Sequence, residues 1–228
     1  MKQIILLITC MFILFHASAQ EQTKSLFVTA NVGGYLQNDA MGRSYKSFNI
    51  SPSINYLLND RWSIGLATRF YTGVTKSEMG ETKSTNGYYS YYERTESKDN
   101  SWWLGPQVRY YFPAHDKIFL FGEIQTGAQF KSLKSYGYHS SIDYNDLYGG
   151  QVTQETKGES KSVSLLSFIS PGLVYFIKPT FGIEMKVNVL RYNYGISDSR
   201  IPDDETKAQE LKLDFSLANS LIGASFYF

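Results

Sequence analysis

Few residues in this chain could do covalent chemistry, and their spacing suits it poorly. His139 and Ser141 form one close His/Ser pair, in Tyr136-Gly-Tyr138-His139-Ser-Ser141, with Asp143 and Asp146 near enough in sequence to orient the imidazole. A serine hydrolase needs that set: a hydroxyl activated by a base that a carboxylate holds in place. One His-x-Ser in a serine-rich stretch is a weak motif, and a loop-borne lipid hydrolase is a distant third reading. His115 belongs to a short polar turn and His16 to the apolar N-terminal segment. The single cysteine, Cys10, lies in that segment too, so thiol and transition-metal chemistry lack ligands. Asp203-Asp204-Glu205 offers the hard oxygens that Ca²⁺ takes, but after Pro202 it reads as a solvated acidic loop. No catalytic, cofactor or metal site is assigned, and the chain is not expected to be an enzyme.

The N-terminus points to export. Lys2 precedes an almost wholly apolar run, Ile4 to Phe15, and Ala17-Ser18-Ala19 is a small-residue cleavage site. Residues 1–19 are read as a signal peptide, too short to span a bilayer as a helix, and residues 20–228 as one barrel domain. Cys10 follows Thr9 rather than a small Gly or Ala, so it is not read as a lipid-bearing residue. No second apolar run is long enough for a spanning helix. Without Lys2 the 22 basic residues become 21, against 21 acidic ones. That balance, with no basic stripe, excludes nucleic acid as a partner.

The elements that must position any site are strands. One pattern occurs three times: Phe48-Asn-Ile-Ser-Pro-Ser-Ile-Asn-Tyr56, Trp102-Trp-Leu-Gly-Pro-Gln-Val-Arg-Tyr110 and Ser167-Phe-Ile-Ser-Pro-Gly-Leu-Val-Tyr175. Each sets apolar residues on one parity against small or polar ones on the other, then meets a short turn and a second alternating run. Eight strands follow, near 26–36, 47–58, 62–73, 101–112, 118–131, 162–177, 181–194 and 211–228. Three connections are short, at 59–61, 113–117 and 178–180; four are long, near 37–46, 74–100, 132–161 and 195–210, and the two kinds alternate. Short turns on one rim and long loops on the other are expected of an antiparallel up-and-down transmembrane β-barrel, and an even strand count puts both termini on the short-turn, periplasmic side. In the last strand Leu211, Leu213, Phe215 and Leu217 are out of parity with Ile222, Ala224, Phe226 and Phe228, which predicts a bulge near Asn219.

A soluble β-sandwich also alternates. Aromatics eight residues apart on the apolar face separate the two readings: Phe48/Tyr56, Trp62/Phe70 and Trp102/Tyr110. Eight steps at ~3.3 Å and ~40° tilt rise roughly 20 Å, near the ~25 Å apolar band between the aromatic girdles of a membrane barrel. The polar parity is rich in Gly, Ser, Ala and Asn, which suits a crowded interior better than a solvated surface.

Together with the closing Ser225-Phe226-Tyr227-Phe228, these features resemble the outer-membrane β-barrel family of small eight-stranded OmpA/OmpX-like proteins. The strand-Pro-x-x-x-Tyr-turn-strand repeats, with Gly65 and Gly182 just after the turn, are similar to PorT-type barrel proteins. The resemblance covers roughly residues 25–228 and is one of architecture. It implies that Phe226 and Phe228 form the C-terminal signal read by the barrel assembly machinery. It transfers no catalytic residue.

Function is then sought in two places. Arg69, Arg109, Glu123, Glu184 and Lys186 are predicted inside the lumen. There they form either a narrow ion path or, as favoured, a salt-bridge network, since side chains fill a barrel of this size. The long loops carry Tyr88, Tyr89, Tyr91, Tyr92, Tyr136 and Tyr138 among Ser and Gly, a composition of adaptable contact surfaces. They would meet an extracellular protein, a glycan or lipopolysaccharide, or else extend the strands and pack on one another. The alternative role is a barrel component of an envelope export or assembly machine.

Overall fold

The computed structural model describes residues 26–39, 42–84, 87–143, 151–198, 209–215 and 220–228. Its strands are β1 (Leu26–Asn38), β2 (Arg43–Leu57), β3 (Trp62–Ser84), β4 (Gly87–His115), β5 (Ile118–Asp143), β6 (Gln151–Lys178), β7 (Phe181–Val187), β8 (Leu190–Asp198), β9 (Gln209–Leu213) and β10 (Ser220–Tyr227). Each neighbouring pair from β1 to β6 is antiparallel. β7 and β8 both pair with β6 and make one interrupted stave; β9 and β10 make another, beside β8 and β7. β10 returns to β1 from Phe27↔Tyr227 to Val32↔Ile222, closing a ring of eight staves. The Phe228 amide donates to the Leu26 carbonyl at 2.8 Å, so the first and last described residues meet at one rim.

That rim carries the short turns. At the first of them the Asn59 side-chain oxygen accepts from the Arg61 and Trp62 amides at 2.9 and 3.0 Å, an Asx turn that asparagine forms readily. Asp116-Lys117 and Pro179-Thr180 make the other two.

Burial runs opposite to that of a water-soluble domain. Asn31, Ser51, Asn55, Gln107, Arg109, Glu123, Gln125, Glu184 and Lys186 are buried, while Ile54, Ile64, Leu104, Val108, Ile124, Leu173 and Ile183 are exposed. A contiguous apolar girdle of this extent on the outside is a surface for hydrocarbon. Aromatics mark both edges of the band. Trp62 lies edge-on to Tyr110 at 4.6 Å on the short-turn side; Phe70, Trp102 and Phe130 stack in sequence at 6.4 and 5.7 Å on the other.

The three proline repeats have one structural meaning. Pro52, Pro106 and Pro171 each pair with the preceding strand, opposite Ala30, Leu66 and Gly122. Toward the following strand the ladder skips each proline, because a proline nitrogen has no hydrogen to donate. At the first gap the Ser51 hydroxyl donates instead to the Thr68 carbonyl, 3.2 Å away. At the second, β4 and β5 come so close that a Cβ on Gly105 would lie 2.0 Å from the Thr126 carbonyl oxygen. At the third, Ser170 and Pro171 face Val187, Asn188 and Val189, a bulge that separates β7 from β8.

Three of the expected long loops are corrected. Residues 37–46 hold only a short connection, since β1 pairs with β2 as far as Asn38↔Ser44. Residues 74–100 and 132–161 are mostly strand: β3 pairs with β4 as far as Ser84↔Gly87, and β5 with β6 as far as Ile142↔Gln151. Backbone ladders need no apolar face, so a segment polar on both sides lacks the contrast that reveals a strand. In the final stave both Leu211/Leu213 and Ile222/Phe226 are exposed, so the parity does change; the bulge expected at Asn219 lies outside the described residues. The expected signal peptide, residues 1–19, also lies outside them.

Candidate functional site

The lumen is layered. At the short-turn end Phe27, Tyr111, Phe121, Val174 and Tyr227 form a buried aromatic plug. It explains why Phe119 and Phe121 share the parity of Glu123: they face inward.

Directly above sits an ion quartet. Arg109 binds Glu123 at 2.6 Å and Glu184 at 2.8 Å, and Lys186 binds the other Glu123 oxygen at 2.6 Å. Asn31 donates to Glu184 at 2.8 Å, and the Arg109 guanidinium lies over the Phe121 ring at 4.0 Å. All four charged side chains are fully or almost fully buried. Two cations meet two anions with short, multiple hydrogen bonds, the one arrangement in which charges withstand removal from water. The residues come from β4, β5 and β7, and register brings them together: Arg109↔Glu123 directly, with Glu184 and Lys186 two apart on one face of β7. A polar layer follows, in which Gln125 donates to Gln107 at 2.8 Å and Gln107 donates to Asn55.

Arg69 is not part of the quartet. Its Nη2 donates to Gln125 at 3.2 Å and Asn188 at 3.4 Å, and its guanidinium lies 4.0 Å over Phe168. It stands beside a second apolar layer, Ala67, Trp103, Leu166 and Phe168, in which the Trp103 indole donates to the Leu166 carbonyl at 3.0 Å.

Beyond that layer the lumen opens into a cavity of about 510 Å³. Its walls include Tyr35, Tyr45, Asn49, Tyr71, Asp99, Lys131, Arg191, Lys212 and Asp214. Lys131 pairs with Asp99 at 2.7 Å and Lys212 with Asp214 at 3.3 Å. The Tyr45 and Tyr71 hydroxyls bond to each other. Sequence reasoning missed this cavity. The bulge between β7 and β8 inverts the inward parity, so Arg191, an outward position if alternation continued from Lys186, lines the lumen instead.

Past the outer aromatic ring, β3 to β6 continue as a polar projecting sheet. Its faces carry ion pairs, Lys76–Glu96 at 3.2 Å and Arg94–Glu78 at 3.4 Å. Tyr92 meets Tyr138 edge-on at 6.0 Å across β4 and β5, and Lys157 lies 5.6 Å from the Tyr136 ring. Tyr88, Tyr89 and Tyr91 belong to β4; their side chains fall outside the described residues. His139 and Ser141 lie two apart on β5, opposite Gln154 and Val152 of β6, and Asp146 is outside the described residues. Among the described residues no cluster of His, Cys, Asp and Glu could hold a metal ion. At the short-turn rim Phe226 and Phe228 face outward, Phe226 packing on Phe181 at 4.8 Å, while Tyr227 between them turns into the plug.

No protein-family model and no curated protein matches this chain. Several solved structures are similar to it. Neisserial surface protein A is 18% identical over 89% of this chain and 97% of its own, with a TM-score of 0.33. The N-terminal β-barrel domain of Pseudomonas aeruginosa OprF is 13% identical over 90% and 98%, with a TM-score of 0.31. Ail, the attachment invasion locus protein of Yersinia pestis, is 14% identical over 89% and 95%, with a TM-score of 0.30. The barrel itself stands on its own ladders and apolar girdle: this chain is an eight-stranded, antiparallel up-and-down β-barrel built to span a membrane with strands.

Proposed function

We propose that the protein is an integral outer-membrane barrel with a structural or surface-interaction role. It is exported on residues 1–19, and its short turns and both termini face the periplasm. The quartet of Arg109, Glu123, Glu184 and Lys186 braces the wall; held between two apolar plugs, it serves as a strut and not as an ion path. Phe226 and Phe228, outward on the last strand, present the signal to the assembly machinery. The projecting sheet is the working surface, directed at an external protein, a glycan or lipopolysaccharide.

The observation that carries this reading is the reach of β3–β4. Its ladder runs from Tyr71↔Ser101, just past the outer aromatic ring, to Ser84↔Gly87. At ~3.3 Å per residue and ~40° tilt, that is roughly 35 Å beyond the apolar band. A barrel that served only as a membrane plug would need none of it.

The test removes the projection in register: residues 77–95 and 135–158 are each replaced by an Asn-Gly turn, at the pairs Lys76↔Glu96 and Lys134↔Glu159. The shortened barrel should still fold, seen as a heat-modifiable band on gels, while whole cells lose binding to external ligands. If envelope proteins that co-purify with the full chain are retained unchanged, the export or assembly role takes its place. A mature chain that is monomeric and folded in detergent-free buffer would sink both.

A further inference from the structure

We propose that the outward half of the lumen is a binding cup for an acidic saccharide, a sugar carrying a phosphate or carboxylate. The inference needs only the folded barrel and not the projecting sheet.

Charge comes first. Among the described residues the cavity wall carries four cations, Arg69, Lys131, Arg191 and Lys212, against two carboxylates, Asp99 and Asp214. Both carboxylates are engaged by the lysines, at 2.7 and 3.3 Å. Among the described residues Arg69 and Arg191 have no carboxylate partner. Moreover Arg191 and Lys212 stand directly opposite each other on β8 and β9, a like-charge pair that costs stability in a sheet. An anion between them reverses that cost. The quartet below shows that this lumen can neutralise its charges where nothing is to be bound.

Hydrogen bonding comes second. Arg69 Nε is buried without an acceptor, and the side-chain Oδ1 atoms of Asn49 and Asp99 are buried without a donor. All three side chains line the cavity. Buried groups left unmatched are costly, and they select a ligand that matches them. All three atoms are closed to solvent as placed, so a ligand meets them by turning the side chains into the cavity: the donor then suits an oxyanion, and the two acceptors suit hydroxyls. A simple inorganic anion would answer only the first.

Shape comes third. The floor is the buried layer of Trp103 and Phe168, the latter's ring already covered by Arg69. Tyr35, Tyr45 and Tyr71 stand on the walls, rings that pack against the C–H faces of a sugar. A volume of about 510 Å³ lies within the ~300–1,000 Å³ usual for small-molecule sites.

The experiment uses the full mature protein in nonionic detergent, titrated calorimetrically with glucose 6-phosphate, glucuronate, glucose and inorganic phosphate. Saturable, salt-sensitive binding of the two acidic sugars is expected, with glucose and phosphate each weaker by about tenfold or more, the loss of one charge-assisted hydrogen bond. Arg191→Gln should weaken glucose 6-phosphate by about tenfold as well. Arg191 is exposed within the cavity, so this variant folds as the parent does, checked by the heat-modifiable band. Arg69→Gln should do the same, and Lys117→Gln, in an exposed short turn at the opposite rim, should change nothing. Competition by lipopolysaccharide micelles would identify the ligand as lipid-borne; binding that they leave untouched would identify a free sugar. No saturable binding, or binding equal in Arg191→Gln, overturns the cup. Phosphate binding as tightly as the sugar phosphate overturns the saccharide.

Discussion

The two halves of one lumen handle charge in opposite ways. Toward the short turns, Arg109, Lys186, Glu123 and Glu184 cancel, and each cation reaches a carboxylate within 2.8 Å. Toward the projecting sheet, cations outnumber carboxylates among the described residues, and Arg69 spends its hydrogen bonds on the neutral Gln125 and Asn188. Water explains the contrast. The quartet is sealed between aromatic layers, where an unmatched charge would cost several kcal/mol. The upper residues border an open cavity, where excess charge is tolerable and available to a ligand. Neutrality inside a small barrel thus marks a strut, and imbalance marks a place to bind.

Substitutions can test the contrast, beginning where the effect is greatest. Arg109→Met should leave two buried carboxylates facing one lysine and cost about 3–5 kcal/mol, read from denaturant unfolding in lipid vesicles. Arg69→Gln, which strands no carboxylate, should cost about 1 kcal/mol in the same assay. Equal losses would erase the distinction between the halves. Ile124→Arg, on the lipid face between the aromatic rings, should cost about 2–4 kcal/mol in vesicles. An effect near zero would mean that this face does not meet hydrocarbon. Gly105→Val, whose Cβ would press on the Thr126 carbonyl oxygen, should cost about 1–3 kcal/mol. Tyr92→Ala, losing only its contact with Tyr138, should cost about 0.5–1.5 kcal/mol. Protease should then nick the projecting sheet faster while the barrel stays intact.

How much was legible from the chain alone varies with contrast between faces. In β2, β3 and β4 the apolar and polar parities differ sharply, and Phe48/Ile54, Trp62/Ile64 and Trp102/Leu104 face outward as their positions suggest. Arg109, Glu123, Glu184 and Lys186 could be placed inside by the same rule. Their mutual pairing could not, because it depends on register between strands distant in sequence. The projecting sheet was invisible as strand: Lys, Glu, Ser and Tyr alternate there with no apolar side, and its order comes from backbone pairing. Trp103, Leu166 and Phe168 stand among polar lumen positions, so they read as exceptions until the second plug gives them a place.

Amino-acid order by itself determined the two-faced, strand-built wall, because a two-residue period must place greasy and polar side chains on opposite faces whatever they later touch. It also set the rims, since Asn59-Asp60-Arg61 and Pro179-Thr180 favour turns over strand. The cavity was decided by folding. One extra residue between β7 and β8 inverts the alternation and carries Arg191 to the lumen beside Arg69, more than a hundred positions away in the chain. Local periodicity cannot encode such a meeting, because it arises from register and closure, which belong to the whole ring.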